Sequence, residues 1–110
     1  MSHEKYQSCI EACLVCATTC EHCTAACLKE ADVKMMVRCI QLDRDCADIC
    51  RLEATLMARA SDFISLTCKL CADICQACGD ECSKHKGMEH CQRCAEACYR
   101  CAEECRKMAA

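Results

Sequence analysis

Proline and tryptophan are absent from this chain, and its 110 residues hold only two glycines and one phenylalanine. The scarcity of proline and glycine argues against a loop-rich scaffold, whose turns depend on those residues. The scarcity of large apolar residues leaves too little Leu, Ile, Val and Phe for an ordinary core in a domain this short. No apolar run is long enough to cross a membrane. Acidic and basic residues are interspersed at a formal net charge of −3, with no basic block suited to nucleic acid. The opening residues, MSHEKYQSC, are polar and show none of the apolar core of a secretion signal. A cytoplasmic, reducing setting is therefore expected.

What replaces the missing core is cysteine, at 19 residues. They fall in four groups: Cys9, Cys13, Cys16, Cys20, Cys23 and Cys27; Cys39, Cys46 and Cys50; Cys68, Cys71, Cys75, Cys78 and Cys82; Cys91, Cys94, Cys98, Cys101 and Cys105. Within the first, third and fourth groups every gap is three or four residues. That alternation marks one seam of a helix packed in a bundle. A strand would scatter the same residues over two faces. The intervening Ala, Glu, Lys, Arg, Gln and Leu tolerate helix.

The spacing predicts one all-α domain over 1–110, an antiparallel up-down-up-down four-helix bundle with helices near 3–29, 33–58, 62–85 and 88–107. Ser2, Asp32 and Ser61 or Asp62 are read as N-caps, and Gly87 as the residue at or near C′ after the third helix. Gly79, inside the third helix, either permits close packing or is simply tolerated. The 18-residue advance from Cys9 to Cys27 corresponds to a sulfur-lined interior about 27 Å long.

Four uses of such a column compete. As plain packing, cysteine is a small hydrophobe, but leucine at the same positions would bury more apolar area. Disulfides within a helix are strained, because i,i+4 Cβ atoms lie about 5–6 Å apart where a bridge wants about 3.8 Å. The count is also odd. The C-x-x-C pairs lie mid-helix without the helix N-terminus that activates a redox thiol. Metal binding fits best. Two metal–sulfur bonds span about 4.6 Å, close to an i,i+4 thiolate pair. Soft thiolates select Cu(I). One Cu(I) per bridging thiolate leaves a loaded core nearly neutral, whereas divalent ions at tetrathiolate sites would bury excess negative charge. Capacity on the order of ~20 ions per chain follows if thiolate softness sets the metal. A thiol reservoir that buffers oxidants or other soft metals is the alternative.

With its repeated CxxCxxxC and CAxxC runs on four helices, the chain resembles the bacterial copper storage proteins, and most closely their cytosolic branch. That resemblance implies a homotetramer of bundles, storage and protection from copper rather than catalysis, and a ligand role for the seam cysteines. The second helix departs from the dense pattern, with only Cys39, Cys46 and Cys50.

Continued past its thiols, the second helix's seam reads Met36, Cys39, Asp43, Cys46, Cys50, Glu53 and Met57. Antiparallel packing would gather Met35, Met36, His85, Met88 and His90 at one end, and Tyr6, Met57, Ile64 and Met108 at the other. The first set supplies candidate entrance ligands, since thioether and imidazole are transient Cu(I) donors. The plainer alternative is solvated histidines and gap-filling methionines. The Tyr6/Ile64 end would be plugged. Asp43 is read as an oxygen ligand or a hydrogen-bond partner for a thiol, against the alternative of a solvated side chain. His3 and His22 are expected at the surface. A second apolar stripe (Ile10, Leu14, Ile40, Leu52, Leu56, Phe63, Leu66, Leu70, Ile74) suits either self-association or inter-helix packing. A delivering copper chaperone would be a further partner.

Overall fold

The computed structural model describes residues 2–109, and the side chains of Ser2 and His3 lie outside what it describes, as do the expectations placed on them. Four α-helices carry the chain: α1 Gln7–Cys27, α2 Val37–Ala58, α3 Ile64–Ser83 and α4 Glu89–Met108. Short 3-10 turns, Ser2–Tyr6 and Val33–Met36, lead into α1 and α2. No described residue lies in a strand.

Each helix packs on its neighbours in the chain, and α4 closes the square against α1. Neighbours run antiparallel. Cys9 at the start of α1 meets Cys105 at the end of α4, with sulfurs 3.7 Å apart, and Cys39 early in α2 meets Cys82 late in α3 at 3.4 Å. The result is a rod of 48 × 19 × 17 Å, the antiparallel bundle that the 3/4 spacing calls for.

Small residues beside the thiols set the helix spacing. Ala12 and Ala17 on α1, Ala47 on α2, Ala72 on α3 and Ala95 and Ala102 on α4 are all buried. Gly79 is needed for close approach, because a Cβ there would lie 2.7 Å from the Tyr99 ring of α4. The Tyr99 hydroxyl, in turn, donates to Asp80 at 2.7 Å.

The helix ends differ from the sequence expectation. Asp32 makes no side-chain cap; its carbonyl accepts from the Met35 amide at 3.1 Å as the 3-10 turn begins. That turn delays α2 to Val37. Ser61 Oγ accepts the Phe63 amide at 3.1 Å, one residue ahead of α3, so it shapes the turn rather than capping the helix, and Asp62 does not cap it either. α3 stops at Ser83 through tight bonds from Lys84 to Glu81 and from His85 to Cys82. Gly87 has no positive φ and is not the left-handed residue expected of it. That conformation falls instead on Ala60, at φ 51°. There the Ser61 amide donates to Leu56 O and the Ala60 amide to Met57 O, the paired bonds of a Schellman end, with alanine where glycine usually sits.

The apolar stripe divides. Leu56 is buried, and Ile10, Ile40 and Ile74 pack part-buried against the core. Leu14, Leu52, Phe63, Leu66 and Leu70 are exposed, Leu66 most of all at 71%.

Candidate metal centre

All nineteen cysteines are free thiols and buried. They stack in layers to which each helix contributes one residue. One mid-column layer is Cys13, Cys50, Cys71 and Cys101, with Cys50–Cys71 at 3.8 Å, Cys50–Cys101 at 3.6 Å and Cys13–Cys101 at 3.6 Å. The next is Cys16, Cys46, Cys75 and Cys98, closed by Cys16–Cys46 and Cys46–Cys75 at 3.5 Å and Cys16–Cys98 at 3.7 Å. Layers also interlock, since sets such as Cys16, Cys46, Cys50 and Cys75 bring four sulfurs within 4.8 Å of one another.

These distances refine the expected coordination. The i,i+4 pairs Cys23–Cys27, Cys46–Cys50, Cys71–Cys75 and Cys94–Cys98 stand 3.8–3.9 Å apart. A linear S–metal–S unit needs about 4.6 Å, whereas three sulfurs around one ion stand about 4.0 Å from each other. The column as folded is thus nearer to three-coordinate bridging than to isolated linear pinching.

Two carboxylates interrupt the column, both on α2 and both at 0% exposure. Asp43 shares a layer with Cys20, Cys78 and Cys94. Its Oδ1 accepts from Cys78 at 3.1 Å, Cys94 at 3.2 Å and Cys82 at 3.5 Å, and its Oδ2 from Cys39 at 3.8 Å. The alternative of a solvated Asp43 is therefore excluded. Burial, then the neighbouring Cys94, pushes its carboxyl up to about 8. Glu53 lies three layers beyond, with Cys9, Cys68 and Cys105. Its Oε2 accepts from Cys68 at 3.0 Å, but its Oε1 is buried without a partner. Burial also raises the Glu53 carboxyl.

At the other end, His90 Nε2 lies 2.9 Å from Glu30 Oε2. With the ring proton assigned to that bond, the Nδ1 lone pair faces Cys91 at 3.5 Å, Cys23 at 3.6 Å and Cys27 at 3.8 Å. A carboxylate behind an imidazole is the usual way to orient a metal-binding ring. His85 is held likewise by Glu81 at 3.2 Å. The two rings are only 13% and 14% exposed. Burial pushes the Cys27 thiol beside His90 up to about 12.

Met36 is fully buried at this end, and Met88 packs part-buried against the core. Met35 is 67% exposed, one residue off the seam, and does not join them. His22 is exposed as expected. At the opposite end Met57 and Ile64 are buried, and Tyr6 and Met108 pack part-buried against the core. Glu30 continues the spacing of α1 three residues past Cys27 but lies beyond the end of that helix, and Glu81 lies off the seam of α3. Glu81 stands four residues before His85, a signal the sequence does carry.

Three comparisons bear on this column. The sequence pattern of the family described as copper storage protein matches residues 2–110. The cysteine-rich protein YhjQ of Bacillus subtilis (strain 168) is 53% identical over 108 residues, covering 97% of this chain and 99% of that protein. Among solved structures, the Cu(I)-bound copper storage protein BsCsp3 superposes with a TM-score of 0.91 at 52% identity, over 96% of this chain and 98% of that one. A cytosolic copper storage protein from Streptomyces lividans, loaded with five coppers, gives a TM-score of 0.93 at 42% identity, over 98% and 94% of the two chains.

Proposed function

The chain belongs to the copper storage protein family, and we propose that its nineteen cysteines are the ligands with which it stores Cu(I). The observation that carries this is the stack of nineteen buried thiols, with neighbouring sulfurs 3.4–4.0 Å apart, along the bundle. Each ion displaces thiol protons and takes bridging thiolates, and each positive charge is matched by a thiolate. Capacity is on the order of ~20 ions per chain. Among the described residues no helix is long and apolar enough to cross a membrane, and the Streptomyces relative is described as cytosolic. We place storage in the cytoplasm and assign the chain no catalytic role. The exposed Leu66, Leu70 and Phe63 stripe suits self-association, as a tetramer by family resemblance. A copper chaperone is the natural donor.

Copper enters at the end where His85, Met88, His90 and Met36 gather, passing from imidazole to Cys23, Cys27 and Cys91 and then to the Asp43 layer. Replacing His85 and His90 together by Ala should slow loading and chelator-driven removal while leaving the final uptake unchanged. Unaltered rates would refute the entrance. Storage itself is tested by anaerobic competition of the reduced protein against a strong Cu(I) chelator. Retention of many ions per chain supports it, and loss of all but one or two would overturn it.

A further inference from the structure

Storage by thiols leaves Glu53 unexplained. It sits at a seam position of α2 that its register shares with Cys39, Cys46 and Cys50, and it is wholly buried. Asp43 shows a seam carboxyl with both oxygens engaged by thiols. Glu53 is different. Cys68 reaches Oε2, while Oε1 has no partner. The nearby Thr67 hydroxyl does not fill the gap, because it donates to Phe63 O at 2.9 Å. In the same layer Cys9 and Cys105 stand 3.7 Å apart, and Cys68 donates to Oε2. A buried oxygen left unpaired costs free energy comparable to a lost hydrogen bond, and a cation among these sulfurs would remove that cost.

We propose that Glu53 is the fourth donor of the terminal layer, holding with Cys9, Cys68 and Cys105 one Cu(I) more than the thiols alone would hold, at the end opposite the histidines. This rests on the storage reading above. Charge supports the extra ion. Each thiolate balances one Cu(I), and the carboxylate adds one further negative charge to a layer that has only three thiols. Donor softness makes it the weakest-held ion of the store. A carboxylate oxygen is a hard ligand and Cu(I) a soft ion, so this position should fill last and empty first. Met57, one turn further along the same seam and fully buried, closes the layer from the end of the bundle.

The test is native mass spectrometry of reduced protein loaded anaerobically with excess Cu(I), then stripped stepwise with chelator. Wild type is compared with Glu53→Leu, which removes the donor, and Glu53→Cys, which restores it as sulfur. Wild type should reach a top state one ion above Glu53→Leu, and that ion should leave at roughly tenfold lower chelator than the rest. Glu53→Cys should keep the higher count and lose the early-leaving ion. Equal top states and identical stripping in wild type and Glu53→Leu would overturn the proposal while leaving storage intact. A wild type that stops at one or two ions would overturn storage itself.

Discussion

Asp43 and Glu53 occupy equivalent positions on one helix, ten residues apart, yet the chain treats them in opposite ways. Asp43 is wrapped by four thiols of three helices. Glu53 receives one thiol and keeps one oxygen unpaired. The difference extends to the two ends of the bundle. The end beyond Asp43 carries two imidazoles, each braced by a carboxylate, and the end beyond Glu53 is closed by Met57, Ile64, Tyr6 and Met108. A buried carboxyl with all its partners organises the thiols around it. One with half its partners missing marks a place for something else.

The widest contrast is between the ends and the middle. Changing Cys16, Cys46, Cys75 and Cys98 together to Ser should lower uptake by about four ions, one per thiolate removed, counted by native mass spectrometry. An undiminished count would mean that the layers are not the storage units.

Apo-protein stability separates the two carboxyls next. Asp43→Leu strips several thiols of their acceptor and should destabilise by roughly 2–4 kcal/mol, whereas Glu53→Leu removes an unpaired buried oxygen and should be neutral or stabilising by about 1 kcal/mol. Urea denaturation of the reduced apo forms measures both. Equal losses would mean that the two carboxyls are held alike.

The same carboxyls make apo stability depend on pH. Asp43 titrates near 8 in the fold against an ordinary value of 3.8, and Glu53 is shifted the same way. A folded pKa above the unfolded one stabilises fully below the unfolded value, and that stability is lost as pH rises through the folded one. The apo bundle should therefore weaken from about pH 4 towards about pH 8, and Asp43→Asn should flatten the slope. Copper affinity runs the other way. Thiols such as Cys27, raised to about 12, hold their protons at neutral pH, so each proton displaced makes binding tighter as pH rises.

The smallest effects lie in the turns. Ala60→Gly, at the Glu53 end, should stabilise by about 0.5–1 kcal/mol by relieving the left-handed alanine. Gly87→Ala, at the histidine end, meets open space at an ordinary φ and should not destabilise. Thermal melts of the two variants would show whether the ends differ as their backbones do.

The seam was legible on α1, α3 and α4 because cysteine marks it at every turn, so the 3/4 spacing set the helices and the buried column, and the short connections set their antiparallel order. Asp43 and Glu53 occupy the same register in the sequence, and no spacing rule separates them. Only the surrounding thiols decide how many partners each receives: Cys78, Cys82, Cys94 and Cys39 for Asp43, and Cys68 alone for Glu53. Glu81 was missed because it braces His85 from off the seam, and Glu30 because it braces His90 from beyond the end of α1. Asp32 does not cap α2 because a 3-10 turn precedes that helix, Ser61 shapes the turn one residue ahead of α3, and the left-handed position falls on Ala60 rather than on Gly87.

The central claim is that the whole column, and not one special pair of thiols, holds copper. Its most direct test is the number of Cu(I) ions retained per chain at full anaerobic loading, with circular dichroism recorded before and after. The account predicts about one ion per thiol and helicity already complete in the apo protein. Saturation at one or two ions would contradict it and point to thiol redox chemistry instead.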